Sequence, residues 1–417
     1  MRERETAIVQ KKKFKKLLYR IVSSICIRGD THKHARAHKK EMSRVQLNNP
    51  GYWTSKTHKT WEDMLTGDLP ETIKEEHPNL ILTRNKPYFG VMVTGIDLSL
   101  ETVGYETRAY LEAIMAVHGI IIFKGQGGDK KYFTAKEQLN AVGQFGTHRI
   151  FSTHAIHKAA EHEAVFRLSN NEEHGFVQVG GGFHHDGLHN DAPFGHVSYH
   201  LQKVPLNGGP TSFNHMGNIC DQLTNEHLSK MANLFTVNAH SGNLLPMLFP
   251  HPVTKRLQTF ANPYQLAGII RLIPDNTTSN LETQLLSEDE IYEVMKPIYD
   301  IANNNFYMHI WEEGDMIMSN NITVCHRAEK SAFKDPESNG LRILHRVTLE
   351  GRHTLVPNAI RRVAPWLDDN YVDVEGKRDL TKYTTIENKK RKNNENSPLW
   401  VDDGKGWSIG NATFKRH

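Results

Sequence analysis

Cysteine is scarce in this 417-residue chain: there are three, Cys26, Cys220 and Cys325, with no C-x-x-C spacing among them. That excludes a disulfide framework and a thiolate zinc site, and it fits a reducing compartment. Long apolar runs are missing as well. No stretch approaches the roughly 18 consecutive apolar residues that a spanning helix needs, and the mean hydropathy is −0.56. A large excess of one charge is absent too, since 51 Lys/Arg face 47 Asp/Glu for a net +4. What is present is ordinary globular material, with 38% hydrophobic and 24% charged residues, so a sizeable core can form. The length exceeds the usual single core of about 100–200 residues, which predicts one large domain with additions, or two domains. An intracellular, cytoplasmic protein is expected.

The near-balance of charge conceals an asymmetry. Residues 1–44 hold 14 Lys/Arg against 4 Asp/Glu, and the remainder holds 37 against 43. Within that basic segment Phe14, Leu17, Leu18, Ile21, Val22 and Ile25 recur at helical spacing among lysines, which predicts a basic amphipathic helix. Such a segment suits an organelle presequence, a membrane-surface helix or a nucleic-acid arm, and its simplest reading is a plain extension ahead of the domain. A secretory signal does not fit, because Arg20 interrupts the apolar run. Residues 45–88, with Trp53 and Trp61, read as an irregular lead-in.

From residue 89 the texture changes. Phe89–Leu98 reads as a strand running into a helix start, 106–117 as a helix, 119–123 as a short apolar strand and 134–145 as a second helix. After residue 160 short β-rich runs punctuated by Gly, Asn and Pro predict a mainly β protein with flanking helices, an antiparallel sandwich in an α+β setting. Beyond about 360 the chain turns polar, with a Lys389–Asn396 run that reads as a solvated loop. The organisation predicted is therefore a basic extension (1–44), a lead-in (45–88), one main domain (89–360) and a polar C-terminal extension (361–417).

Twenty-five histidines make any single one weak evidence. The richest cluster is Phe183-His-His-Asp-Gly-Leu-His-Asn-Asp191. On an extended strand, side chains at i and i+2 share a face, so His184 and Asp186 can address one ion while His185 points away. His189 and Asp191 form a second H-x-D in the same run. One more imidazole from a distant strand would complete a two-histidine, one-carboxylate triad of the kind that leaves three positions open on a ferrous ion.

Further motifs follow in order: Pro205-Leu-Asn-Gly-Gly-Pro-Thr-Ser-Phe213, Gly314–Ala328 with its histidine at 326, and Leu341-Arg-Ile-Leu-His-Arg-Val-Thr348. With Val93-Thr-Gly-Ile-Asp-Leu98, His118–Gln126, Phe145-Gly146 and Leu168-Ser-Asn170, this succession resembles the taurine / 2,4-dichlorophenoxyacetate dioxygenase family. The resemblance spans about 89–352 and implies a double-stranded β-helix, or jelly roll, that uses Fe(II) and 2-oxoglutarate. It implies His184, Asp186 and His326 as iron ligands, Thr211 and Arg342 as contacts of the 2-oxoglutarate co-substrate, and Arg346 as a second arginine pointing into the active site, either to share the co-substrate or, the assignment preferred here, to hold an anion on the primary substrate. Two departures stand out: Phe183 replaces the family's tryptophan before the first ligand, and Ser319-Asn-Asn321 replaces its Trp-Asp-Asn. An aspartate at 186 argues against halogenation, for which relatives carry a small residue there.

The expected activity is oxidation, by hydroxylation, of a small anionic or zwitterionic molecule with O₂, releasing succinate and CO₂. The competing expectation is a metal-binding jelly roll acting non-catalytically through its basic arm on a membrane or nucleic acid. A homo-oligomer is expected. His185, His189, His196, His200 and His215 are read as exposed or structural, and Cys325 as a core residue, since nothing marks a lowered thiol pKa.

Overall fold

The architecture is that of a computed structural model, which describes residues 69–351 apart from 86–88, 146–149, 152–155, 178–181, 189–191, 239–242, 261–265 and 275–280, together with three strands between 400 and 415. The basic segment 1–44, Trp53, Trp61, the Lys389–Asn396 run, and His189 with Asp191 lie outside the described residues.

Short apolar runs build a mostly β protein whose central strands are buried along their whole length. The main sheet has eight strands, in the order Ile81–Arg84, Val91–Thr94, Ile120–Phe123, Met316–Asn320, His196–Lys203, Ile343–Leu349 and Ile150–Phe151, with Phe166–Ser169 also pairing to Ile343–Leu349. One pair, Val91–Thr94 with Ile120–Phe123, is parallel. Its crossover is the helix Tyr105–His118, the kind of connection parallel strands require. The helix Ala135–Gly143 starts at Thr134, whose hydroxyl accepts from the Glu137 N–H while the Glu137 carboxylate returns to the Thr134 N–H, a reciprocal cap. The first strand, Ile81–Arg84, falls inside the stretch read as an irregular lead-in and pairs with Val91–Thr94.

Ile120–Phe123 is buried on both faces because the sheet is covered on both. Ile121 and Phe123 join Met316, Met318 and the two helices in one core, whereas Ile120 and Ile122 join Ile317, Tyr199, Leu344, Phe213 and Val324 in another. Phe213 and Val324 belong to a second sheet, ordered Tyr307–His309, Thr211–His215 and Val324–Ala328. The inter-sheet core therefore fixes the distance between the strand ends that carry the candidate residues.

Between the strands Thr211–His215 and Tyr307–His309 the chain inserts, among the described residues, a four-stranded sheet, a two-stranded sheet and three helices. The longest, Glu288–Asn304, opens with the Ser287–Glu290 capping box and buries Ile291, Val294, Met295, Ile298 and Ala302 at helical spacing. This segment lies in the region read as β-rich from its turn residues. The three C-terminal strands, Trp400–Asp402, Gly406–Ile409 and Ala412–Lys415, form a separate sheet within the stretch read as a polar extension.

The histidines carry a consequence for stability. Burial, as the leading cause, lowers His118 and His200 to about 4 and His215 and His345 to about 3. An unfolded histidine titrates near 6.5, so below that pH the unfolded chain takes up protons that the fold refuses. Stability is thus complete above about pH 6.5 and falls as the pH drops toward 4, by up to about 1.4 kcal/mol per pH unit for each group. Thermal melts should show Tm level from pH 8 to 7 and dropping steeply between 6.5 and 4.5; a flat Tm across the lower interval would contradict this.

Candidate active site

His184 does not lie in a regular strand. It forms a single antiparallel bridge with His326, at the centre of Val324–Ala328, and the N–H of each donates to the carbonyl of the other at 3.0 and 2.9 Å. Residues 186–188 then turn, with Gly187 at φ +69°, where a Cβ would stand 2.7 Å from the Phe194 ring. The expected strand alternation is therefore replaced by a bridge and a turn, although its result for His185 is the same. That ring points away and sits fully buried, edge-on to Phe260 at 5.0 Å.

Residues directly opposite in an antiparallel pair project to one face. The rings of His184 and His326 accordingly lie with centroids 4.3 Å apart. Asp186 places Oδ2 3.9 Å from His326 Nε2. One ligand atom each from His184, Asp186 and His326 lies within 4.8 Å of the others, so two imidazoles and a carboxylate converge on a point a single cation can occupy. On the reverse face, the Arg327 guanidinium stacks 4.3 Å over the Phe183 ring and 4.9 Å over Phe306, which braces the two-bond bridge from behind.

The surroundings set the imidazoles for metal binding. His184 Nδ1 meets the Gly182 carbonyl at 2.8 Å, a contact that requires the proton on Nδ1 and turns the Nε2 lone pair toward the cluster. His326 Nδ1 meets the Tyr199 hydroxyl at 3.1 Å. Burial, and next the neighbouring His184, push His326 well below the usual histidine range, so it is neutral at pH 7 and able to ligate. Asn321 clamps the Asp186 backbone, its Oδ1 accepting from the Asp186 N–H at 3.1 Å and its Nδ2 donating to the Asp186 carbonyl at 2.8 Å.

The two arginines at and just before the strand Ile343–Leu349 differ in their partners. Arg346 donates from Nη1 to Asp186 Oδ1 at 2.7 Å and stacks over Phe166 at 4.7 Å. Arg342 is 1% exposed, its Nε donates to the Gly209 carbonyl at 3.2 Å, and its N–H to Asn170 Oδ1 at 2.8 Å. Among the described residues no carboxylate forms an ion pair with Arg342. Burial lowers it to about 10, which leaves it cationic at neutral pH, so the site buries a positive charge suited to an incoming anion. Gly209 sits at φ +46°, and a Cβ there would stand 2.7 Å from Arg342 Nε. Two residues on, Thr211 lies opposite Ala328 in the pairing that sets Phe213 opposite His326, so Thr211 and His326 share a face.

The structure thus brings His184, Asp186 and His326 together, ties Arg346 to them, and links Arg342 to the turn that carries Thr211. It does not pair His200 or His215 with this cluster. They are buried, with His200 Nδ1 on the Asp315 carbonyl and His215 Nε2 on the Val117 carbonyl. Cys325 is a core residue whose thiol burial pushes up to about 12.

The taurine catabolism dioxygenase TauD, TfdA family model matches residues 83–348. The chain belongs to this family. Membership implies dependence on a metal and on 2-oxoglutarate, with O₂ and a small molecule as the other reactants. The fold is similar to a taurine dioxygenase from Burkholderia xenovorans, with TM-score 0.53 and 18% identity over 68% of this chain and 94% of that one. It is also similar to AAD-2 in complex with Mn(II) and N-oxalylglycine, with TM-score 0.51 and 18% identity over 66% of this chain and 99% of that one. No curated protein matches the sequence.

Within this family member, three supporting residues escape a reading by motif, Tyr199 on His326, Phe166 under Arg346 and Trp311, whose indole meets Thr211, whereas Asn321 on the Asp186 backbone and Asn170 on Arg342 do not. Asn321 and Asn170 stand in segments that were already notable in the sequence. Tyr199 and Trp311 carry no local signal, because their partners are 127 and 100 residues away.

Proposed function

We propose that this chain is an Fe(II)- and 2-oxoglutarate-dependent dioxygenase that hydroxylates a small anionic or zwitterionic organic molecule, with a double-stranded β-helix, or jelly roll, as its core. The observation that carries the reading is the convergence of His184, Asp186 and His326 within 4.8 Å, from segments 140 residues apart, together with the buried Arg342, which has no carboxylate partner among the described residues. The donor set fits: two imidazoles and one carboxylate are the ligands of a ferrous site with open positions. When bound, the metal supplies O₂ activation coupled to decarboxylation of the keto acid, so that substrate, O₂ and 2-oxoglutarate become hydroxylated substrate, succinate and CO₂.

The chain's own residues hold and orient. His184 and His326 present ring lone pairs oriented by the Gly182 carbonyl and the Tyr199 hydroxyl. Arg342 and Thr211 hold the co-substrate, the guanidinium offering a planar fork to its distal carboxylate. The inter-sheet core, with Phe213, Leu344 and Val324, keeps water from the inner end. Arg346 carries five N–H donors, enough to bond Asp186 and a substrate anion together. Alanine at 346 should therefore raise KM for the primary substrate far more than KM for 2-oxoglutarate; equal effects would assign Arg346 to the co-substrate instead.

The deciding experiment measures oxygen uptake and succinate formation by the full chain with Fe(II) and 2-oxoglutarate, in parallel with His184→Ala. Uptake that needs both additions and vanishes in the variant supports the reading. A variant that consumes as much oxygen and co-substrate as the parent would end it. A consumption screen over sulfonates, carboxylates, betaines and amino acids then identifies the substrate class.

A further inference from the structure

We infer that Trp311 is a positioning residue that presets the Thr211 hydroxyl as a hydrogen-bond donor to the co-substrate carboxylate; this rests on the co-substrate reading above. Trp311 is 1% exposed, and its Nε1 donates to Thr211 Oγ1 at 3.0 Å. An indole N–H can only donate, so the hydroxyl oxygen accepts in this bond. The hydroxyl proton is left to point elsewhere. A carboxylate can only accept, so a hydroxyl already turned into a donor matches it without rotor ordering at the moment of binding.

Trp311 is itself held at both backbone and ring: its backbone N–H donates to the Gly208 carbonyl at 3.0 Å, and the ring stands at 90° to His309 with centroids 4.7 Å apart. His309 Nε2 lies 2.9 Å from Asp315 Oδ2, and Asp315 is 1% exposed. Gly208 adjoins Gly209, whose carbonyl accepts from Arg342. One turn thereby registers both co-substrate residues, Arg342 through Gly209 and Thr211 through Gly208 and Trp311. Packing alone would be served by phenylalanine at 311; the indole N–H adds the orientation of Thr211.

The test is a double-mutant cycle on 2-oxoglutarate binding to the Mn(II)-loaded full chain, by calorimetry, with Trp311→Phe, Thr211→Val and the pair. Trp311→Phe should weaken 2-oxoglutarate about fivefold, the loss expected for one neutral hydrogen bond. In the Thr211→Val background the same change should cost less than twofold, and Mn(II) affinity without 2-oxoglutarate should stay unchanged. Equal losses in both backgrounds, or no loss in either, would overturn the inference and leave Trp311 as packing. A parent chain that loads Mn(II) yet binds no 2-oxoglutarate would instead remove the co-substrate reading and this inference with it. Should Trp311→Phe not fold, the ¹⁵N-indole spectrum of the Zn(II)-loaded chain decides: one indole resonance should move both with Thr211→Val and on adding 2-oxoglutarate. Absence of a shared resonance counts against the proposal.

Discussion

Replacing His326 with alanine is expected to weaken divalent metal binding by more than about 100-fold and to reduce 2-oxoglutarate-dependent oxygen uptake to the rate without protein. Losing a partner that merely orients a ligand already costs about 10–100-fold in affinity or activity, and loss of a ligand atom costs at least the upper end. The fold should survive, because the bridge to His184 is made by backbone N–H and carbonyl groups that alanine retains. Circular dichroism should therefore match the parent while titration with Mn(II) shows no saturation at concentrations that fill the parent. Metal affinity within tenfold of the parent would show that His326 does not ligate.

Arg342→Leu is expected to raise KM for 2-oxoglutarate by roughly 10- to 100-fold, the equivalent of one to two hydrogen bonds to a charged group. The guanidinium is buried and has no carboxylate partner among the described residues, and the proposed function gives it the distal carboxylate of the keto acid as counter-charge. Arg342→Lys should recover little. A lysine ammonium is a point charge that does not reproduce the planar fork, and its shorter donor set gives up the Nε bond to the Gly209 carbonyl. Metal binding should be unaffected in both variants. Should both keep the parent's KM for 2-oxoglutarate while stability falls, Arg342 would be a structural cation.

Some of this was legible in one dimension. The strand Ile120–Phe123 and the helices Tyr105–His118 and Ala135–Gly143 match their apolar periodicity, because local spacing and the Thr134–Glu137 cap agree with the tertiary setting. The long helix Glu288–Asn304 was legible too, through Ser287, Glu290 and the stripe at 291, 294, 295 and 298, but the turn residues around it drew the reading toward strands. The ligand segment shows the opposite case. His184 and Asp186 lie as far apart along the chain as strand alternation requires, yet they are placed by a lone bridge and a left-handed glycine that faces Phe194.

Residue types and their order were enough to mark the family, the three candidate ligands and the two arginines, since a metal and a dicarboxylate demand particular donors and those donors are written in the chain. Which imidazole nitrogen faces the ion, which arginine neighbours Asp186, and what holds Thr211 were settled by folding alone. Such choices depend on distances between strands brought together by a shared core, and no linear spacing encodes a contact made across more than a hundred intervening residues.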